Sequence, residues 1–159
     1  MSLHEPPVVT LTLPARPEGV GVVRQALVGV ADGLALDGAV LSDAKVAVTE
    51  ACTNAVVHAY EDEVGMLTVD MFADDAQLTV VVRDHGMGIR PQANRAGSAT
   101  AALGLGLPLI AALTDAFEVR GGPGAGTEVR MTFAYDREAD PADDNPITGG
   151  PDPSGRWQS

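Results

Sequence analysis

The sequence predicts an α+β two-layer sandwich, with helices packed on one face of a mostly antiparallel mixed sheet. Three observations carry this. Hydrophobic periodicity switches between strand and helix spacing in the order strand, two helices, two strands, loop and helix, two strands. Two of the strand pairs are joined by turn signals, Asp74-Asp75 in one case and the glycine-rich GGPGAG at 121–126 in the other. The chain has 159 residues, 45% hydrophobic and 20% charged, which suits one globular core rather than a disordered chain.

Each element has its own local reason. Residues 8–13 read VVTLTL, an alternation rich in β-branched residues that predicts a strand. Pro14 and Pro17 end it, and Pro17 suits the first turn of a helix reaching about residue 31, with Val20, Val23, Leu27 and Val30 on one face. Residues 33–38 connect to a second helix. Ser42 is its expected N-cap, with Asp43 in the dipole-favoured first turn and an end near residue 60. Residues 66–72 and 77–84 are the next two strands. Residues 85–103 hold Gly, Pro, Ala and Ser without apolar periodicity and read as a loop. Residues 104–113 turn helical, and residues 116–120 and 127–135 are the closing strands. The expected domain is therefore 1–135. Residues 136–159 are rich in Asp, Pro and Gly, and read as an acidic, disordered tail.

Composition excludes several function classes. Lys and Arg total 10 against 22 Asp and Glu, a formal net charge of −12. Such a chain lacks the basic field that drives nucleic-acid binding, and anionic membranes repel it. No apolar run approaches a membrane span, and the N-terminal Met-Ser-Leu-His-Glu-Pro-Pro lacks a secretion signal. The single cysteine, Cys52, excludes an internal disulfide and fits a cytoplasmic location. His4, His58 and His85 have no metal-ligand spacing.

Four segments can carry chemistry. In VTEACTNAVVHAY, Glu50 and Asn54 stand four residues apart on one helix face, and His58 continues the line. A carboxylate there can act as general base, and an amide oxygen can ligate Mg²⁺. In VVVRDHGMG, Asp84 ends an apolar strand and can accept a hydrogen bond from a ligand amine, while Gly86 and Gly88 permit close backbone approach. In GLGLPLI, Gly104, Leu105 and Gly106 lead into a helix whose free amides can cradle phosphate. The fourth segment is Gly124-Ala125-Gly126-Thr127 before a strand. Taken singly, each has a plainer reading: a solvated helix face, a turn after a strand, a glycine pair at a helix start, a hairpin turn.

Taken in order, E-x-x-x-N, D-x-G-x-G, G-x-G and G-T resemble the Bergerat ATP-binding fold shared by gyrase, a heat-shock chaperone, histidine kinases and mismatch-repair ATPases. The segments EACTNAVVHAY and VRDHGMGI are most similar to the anti-sigma factor serine kinases within that group. The resemblance implies ATP and Mg²⁺ as cofactors. It implies Glu50 as general base, Asn54 as Mg²⁺ ligand and Asp84 as acceptor for the adenine amine. Gly86 and Gly88 would lie along the nucleotide. Gly104, Leu105 and Gly106 would line the phosphates, and Thr127 would support the adenine end. Residues 90–103 would form a lid with Arg95 facing phosphate. Arg24 on the first helix would contact a sigma factor. The implied activity is sequestration of a sigma factor and phosphorylation of a serine on its STAS-type anti-anti-sigma antagonist, by a protein expected to be a homodimer. The second reading is a nucleotide-dependent binding module with little kinase activity, to which the short lid segment points.

Overall fold

A computed structural model describes residues 5–58, 65–86, 106–121 and 124–135. Five strands and three helices make up this part: β1 (Val9–Pro14), α1 (Pro17–Gly33), α2 (Gly38–His58), β2 (Met66–Ala73), β3 (Gln77–Asp84), α3 (Gly106–Leu113), β4 (Ala116–Gly121) and β5 (Thr127–Ala134). The sheet order is β1-β2-β3-β5-β4, and all four pairings are antiparallel, so no parallel pair occurs among the described strands.

The register explains the two layers. Leu11, Val69, Val82, Val129 and Val119 stand side by side across the sheet, as do Val9, Met71, Val80, Met131 and Phe117. Strand alternation sends both rows to one face. There they pack with Val20, Val23 and Leu27 of α1, with Ala44, Ala47, Val48, Ala51, Cys52 and Ala55 of α2, and with Leu107 and Ile110 of α3. The opposite face carries charge. Arg83 pairs with Asp70 on β2 and, at 2.8 Å, with Glu128 on β5, which ties three strands together one residue before Asp84.

Helix starts and stops differ from the expected ones, for identifiable reasons. Ser42 lies inside α2 rather than at its cap. Asp37 takes that place: its Oδ1 accepts the Ala39 N–H at 3.3 Å and its carbonyl accepts the Leu41 N–H at 3.0 Å. Helix α1 runs two residues beyond the expected end and closes when Leu36 N–H reaches the Ala31 carbonyl at 3.0 Å, across Ala35 at φ 53°. That 6→1 closure normally favours glycine at the left-handed position, and here alanine occupies it. The expected helix over 104–113 is present as α3 within the described residues.

The turn between β2 and β3 is as expected. Asp74 Oδ1 accepts the N–H groups of Ala76 and Gln77 at 2.8 and 2.9 Å, which folds the chain back within one turn. The proposed lid at 90–103 with Arg95, the glycines Gly88 and Gly104, Leu105, and the tail at 136–159 all lie outside the described residues.

Candidate functional site

Asp84 is the last residue of β3, on the helix-facing side of the sheet, between Leu67 on β2 and Thr127 on β5. It is 8% exposed, one of two buried polar residues in the described core. Its Oδ1 accepts two backbone N–H groups, from Gly86 at 3.0 Å and Thr127 at 3.2 Å. Its Oδ2 makes no hydrogen bond among the described residues. Burial pushes the carboxyl above the usual range near 3.8, against the pull of those two N–H groups and of His85. The result is a carboxylate fixed by the backbone with one oxygen available to a ligand amine.

The β4–β5 turn sits directly on this group. Gly126 has φ +75°, and a Cβ added to it would come within 2.1 Å of the Asp84 carbonyl oxygen. Only glycine allows both that dihedral and that approach, and the approach is what brings the Thr127 N–H to Asp84. A pocket of about 190 Å³ opens at this end of the sheet, lined by Asp84, His85, Gly121, Gly126 and Thr127 together with charged residues of the open face.

Glu50 and Asn54 lie on α2, both partly exposed. The residues between and beside them, Ala47, Val48, Ala51, Cys52 and Ala55, are buried in the core. Burial pushes the Cys52 thiol up to about 12, so it is a core residue without nucleophilic character. The polar pair faces α3. A Cβ built on Gly106 would stand 2.7 Å from Asn54 Nδ2, 3.3 Å from Asn54 Oδ1 and 3.2 Å from Glu50 Oε2. Two sequence motifs far apart in the chain thus meet at one point: a carboxylate, an amide oxygen and the start of a helix.

The donor set suits Mg²⁺ brought in with a nucleotide. An amide oxygen and a carboxylate are hard ligands, and Mg²⁺ takes few of them because it keeps waters and phosphate oxygens. Among the described residues no cluster of three acidic, His or Cys side chains could hold a metal alone.

Of the predicted residues, the structure brings together Glu50, Asn54 and Gly106 at one place and Asp84, Gly86 and Thr127 at another. Gly86 and Thr127 act through their backbone N–H groups on Asp84. Arg24 is exposed on α1, apart from the buried Val20, Val23 and Leu27. Gly126 was not among the predicted site residues. Its signal was the G-x-G-T run ahead of a strand.

A family profile described as a histidine kinase-like ATPase domain matches residues 13–133. A protein of Halalkalibacterium halodurans named serine-protein kinase RsbW is 38% identical over 95 residues, covering 60% of this chain and 58% of that protein. The Bacillus mycoides protein of the same name is 32% identical over 152 residues, covering 88% of this chain and 92% of that one. The anti-sigma F factor of Caldanaerobacter subterraneus subsp. tengcongensis is 36% identical over 105 residues, 58% of this chain and 68% of that protein. Among solved structures, the RsbU and RsbW domains of a Mycobacterium tuberculosis protein match with TM-score 0.62 at 23% identity, over 84% of this chain and 34% of that one. That likeness concerns the fold.

Proposed function

The chain belongs to the histidine kinase-like ATPase domain family, and from that premise we propose that it is an ATP-dependent anti-sigma factor that phosphorylates a serine on its antagonist. The observation that carries this reading is the meeting of Glu50, Asn54 and Gly106 at one point, with a backbone-held carboxylate at Asp84. Names of relatives such as serine-protein kinase RsbW and anti-sigma F factor support the choice of activity.

Phosphoryl transfer requires positioning and charge neutralisation more than covalent chemistry. Asp84 would receive the adenine amine on Oδ2 and so set the register of the nucleotide. The amides that open α3 would receive the phosphates. Asn54 Oδ1 would hold Mg²⁺, which would offset the charge of the phosphates. Glu50 would accept the proton of the attacking serine hydroxyl.

The partners are a sigma factor, met through the α1 surface around Arg24, and a STAS-type antagonist that presents the serine. A second copy of the chain completes the assembly as a homodimer. The acidic balance of the chain disfavours nucleic acid as a direct partner. No described helix is long and apolar enough to cross a membrane.

The experiment is transfer of label from γ-labelled ATP to a candidate antagonist. Phosphoserine on the antagonist is the expected result. Retention of the sigma factor in ATP, with no phosphoserine formed, would leave a nucleotide-dependent binding module instead.

A further inference from the structure

Gly106 opens α3 with helical backbone, so its own dihedral angles do not call for glycine. Space does. A Cβ there would lie 2.7 Å from Asn54 Nδ2, closer than real Cβ atoms come to any neighbour, and 3.2 Å from Glu50 Oε2. Most other described helical glycines differ, Gly19 excepted, where a Cβ would stand 3.1 Å from the Pro14 carbonyl oxygen. At Gly21, Gly29 and Gly33 of α1 and Gly38 of α2, a Cβ would meet nothing within 4 Å.

We propose that Gly106 is a positioning residue: by carrying no side chain, it seats the first turn of α3 on the Asn54 amide and the Glu50 carboxylate and fixes both groups against that turn. Two of the three nearest atoms belong to the Asn54 amide, so a methyl at position 106 displaces Asn54 first. The amide would have to swing away from the helix start, and Oδ1 with it. Asp84 is untouched by this, because its own backbone donors hold it. The substitution therefore separates the reacting end of the site from the adenine end. The catalytic consequence rests on the phosphotransfer reading above, whereas the contact stands on geometry alone.

The test is a double-substitution cycle on the full chain without ligand, followed by a nucleotide measurement. Gly106→Ala lowers the melting temperature in the wild-type background. In an Asn54→Ala background it leaves the melting temperature unchanged or raises it, because alanine is the better helix former once the amide is gone. An equal loss in both backgrounds overturns the contact. If Gly106→Ala alone fails to fold, rescue by Asn54→Ala supports the proposal and absence of rescue overturns it. In calorimetry with ADP, Gly106→Ala loses most of the gain in affinity that Mg²⁺ adds over EDTA. Phosphoserine formation falls by about 10²-fold, the scale of a 1 Å misplacement. Gly29→Ala is the control and changes neither quantity. A wild-type Mg²⁺ gain in Gly106→Ala overturns the positioning role even if the melting cycle shows coupling. A wild-type protein that neither binds ADP nor transfers phosphate defeats the phosphotransfer reading instead, and the melting cycle still decides the contact.

Discussion

The two ends of the site are built on different principles. At the adenine end, Asp84 is the terminus of a central strand, is buried, and is held by two backbone donors from two different segments. At the proposed phosphate end, Glu50 and Asn54 are partly exposed and their side chains make no hydrogen bond among the described residues. Helix spacing sets them four residues apart, and both side chains reach the space that a Cβ on Gly106 would occupy. The first arrangement is preorganised by hydrogen bonds that exist without ligand. The second is a carboxylate and an amide on one helix face, which on the proposed reading serve as general base and Mg²⁺ ligand and meet their remaining partners with the nucleotide. On the proposed reading, recognition belongs to the sheet and reaction to the helices, and substitutions should affect one without the other.

The largest effect should be at the reacting end. Glu50→Ala is expected to lower phosphoserine formation by 10²–10⁴-fold, the usual contribution of a general base, while ATP affinity stays near wild type. A large loss of ATP affinity instead would mean that Glu50 serves binding, and the division between the two ends would fail.

Asp84→Asn should do the reverse. Asparagine can keep the two backbone bonds through its oxygen but places an N–H₂ donor where the adenine amine needs an acceptor. A hydrogen bond to a charged group is worth about 1.5–3 kcal/mol, so ATP and ADP affinity should both fall roughly 10–150-fold. The fold should not suffer. Burial raises the folded pKa of Asp84, so its ionised form is the costly one in the native state. Its contribution to stability is therefore most favourable below the ordinary carboxylate value, worsens as pH rises through the window up to the raised value, and stays worse above it. Nucleotide affinity has the opposite sign. It needs the ionised acceptor and weakens as pH falls through the raised pKa. Calorimetry and melting curves across that window should show the two trends opposed in the wild type, and the Asp84 contribution to both absent in Asp84→Asn.

A smaller effect is expected at Gly126. Alanine there must adopt φ +75° and press on the Asp84 carbonyl. A strained backbone position costs about 1–3 kcal/mol, or a melting temperature lower by several degrees. Nucleotide affinity should fall with it, because the Thr127 N–H is drawn off Asp84. Unchanged affinity would show that Thr127 is dispensable to the adenine end.

Much of this was legible in the sequence. Residues 77–84 are expected as a strand and form one with those bounds, because Asp84, with Gly86 two residues on, marks its end. The four motifs, read in order, identified the family whose profile spans residues 13–133. What sequence could not give was set by tertiary contact. Asp37 is followed by Gly and Ala, whereas Ser42 and Asp43 made the stronger local cap signal. The place of Gly126 depends on a strand more than forty residues upstream. Arg83 and Glu128 meet only because β5 inserts between β3 and β4.

That insertion has a consequence for how the protein is made. Strands β2 and β3 form one hairpin and β4 and β5 another, each closed by a short turn that can fold in microseconds. The seam between the hairpins, β3 against β5, joins residues far apart in sequence and must wait for the intervening chain to close. Asp84 and the Thr127 N–H lie on opposite sides of that seam, 43 residues apart. A partly assembled chain with both hairpins formed but the seam open lacks the Thr127 N–H on Asp84. On the reading proposed above, nucleotide capture at this place would report completed assembly, and a copy with the seam open would not bind nucleotide even with both hairpins formed.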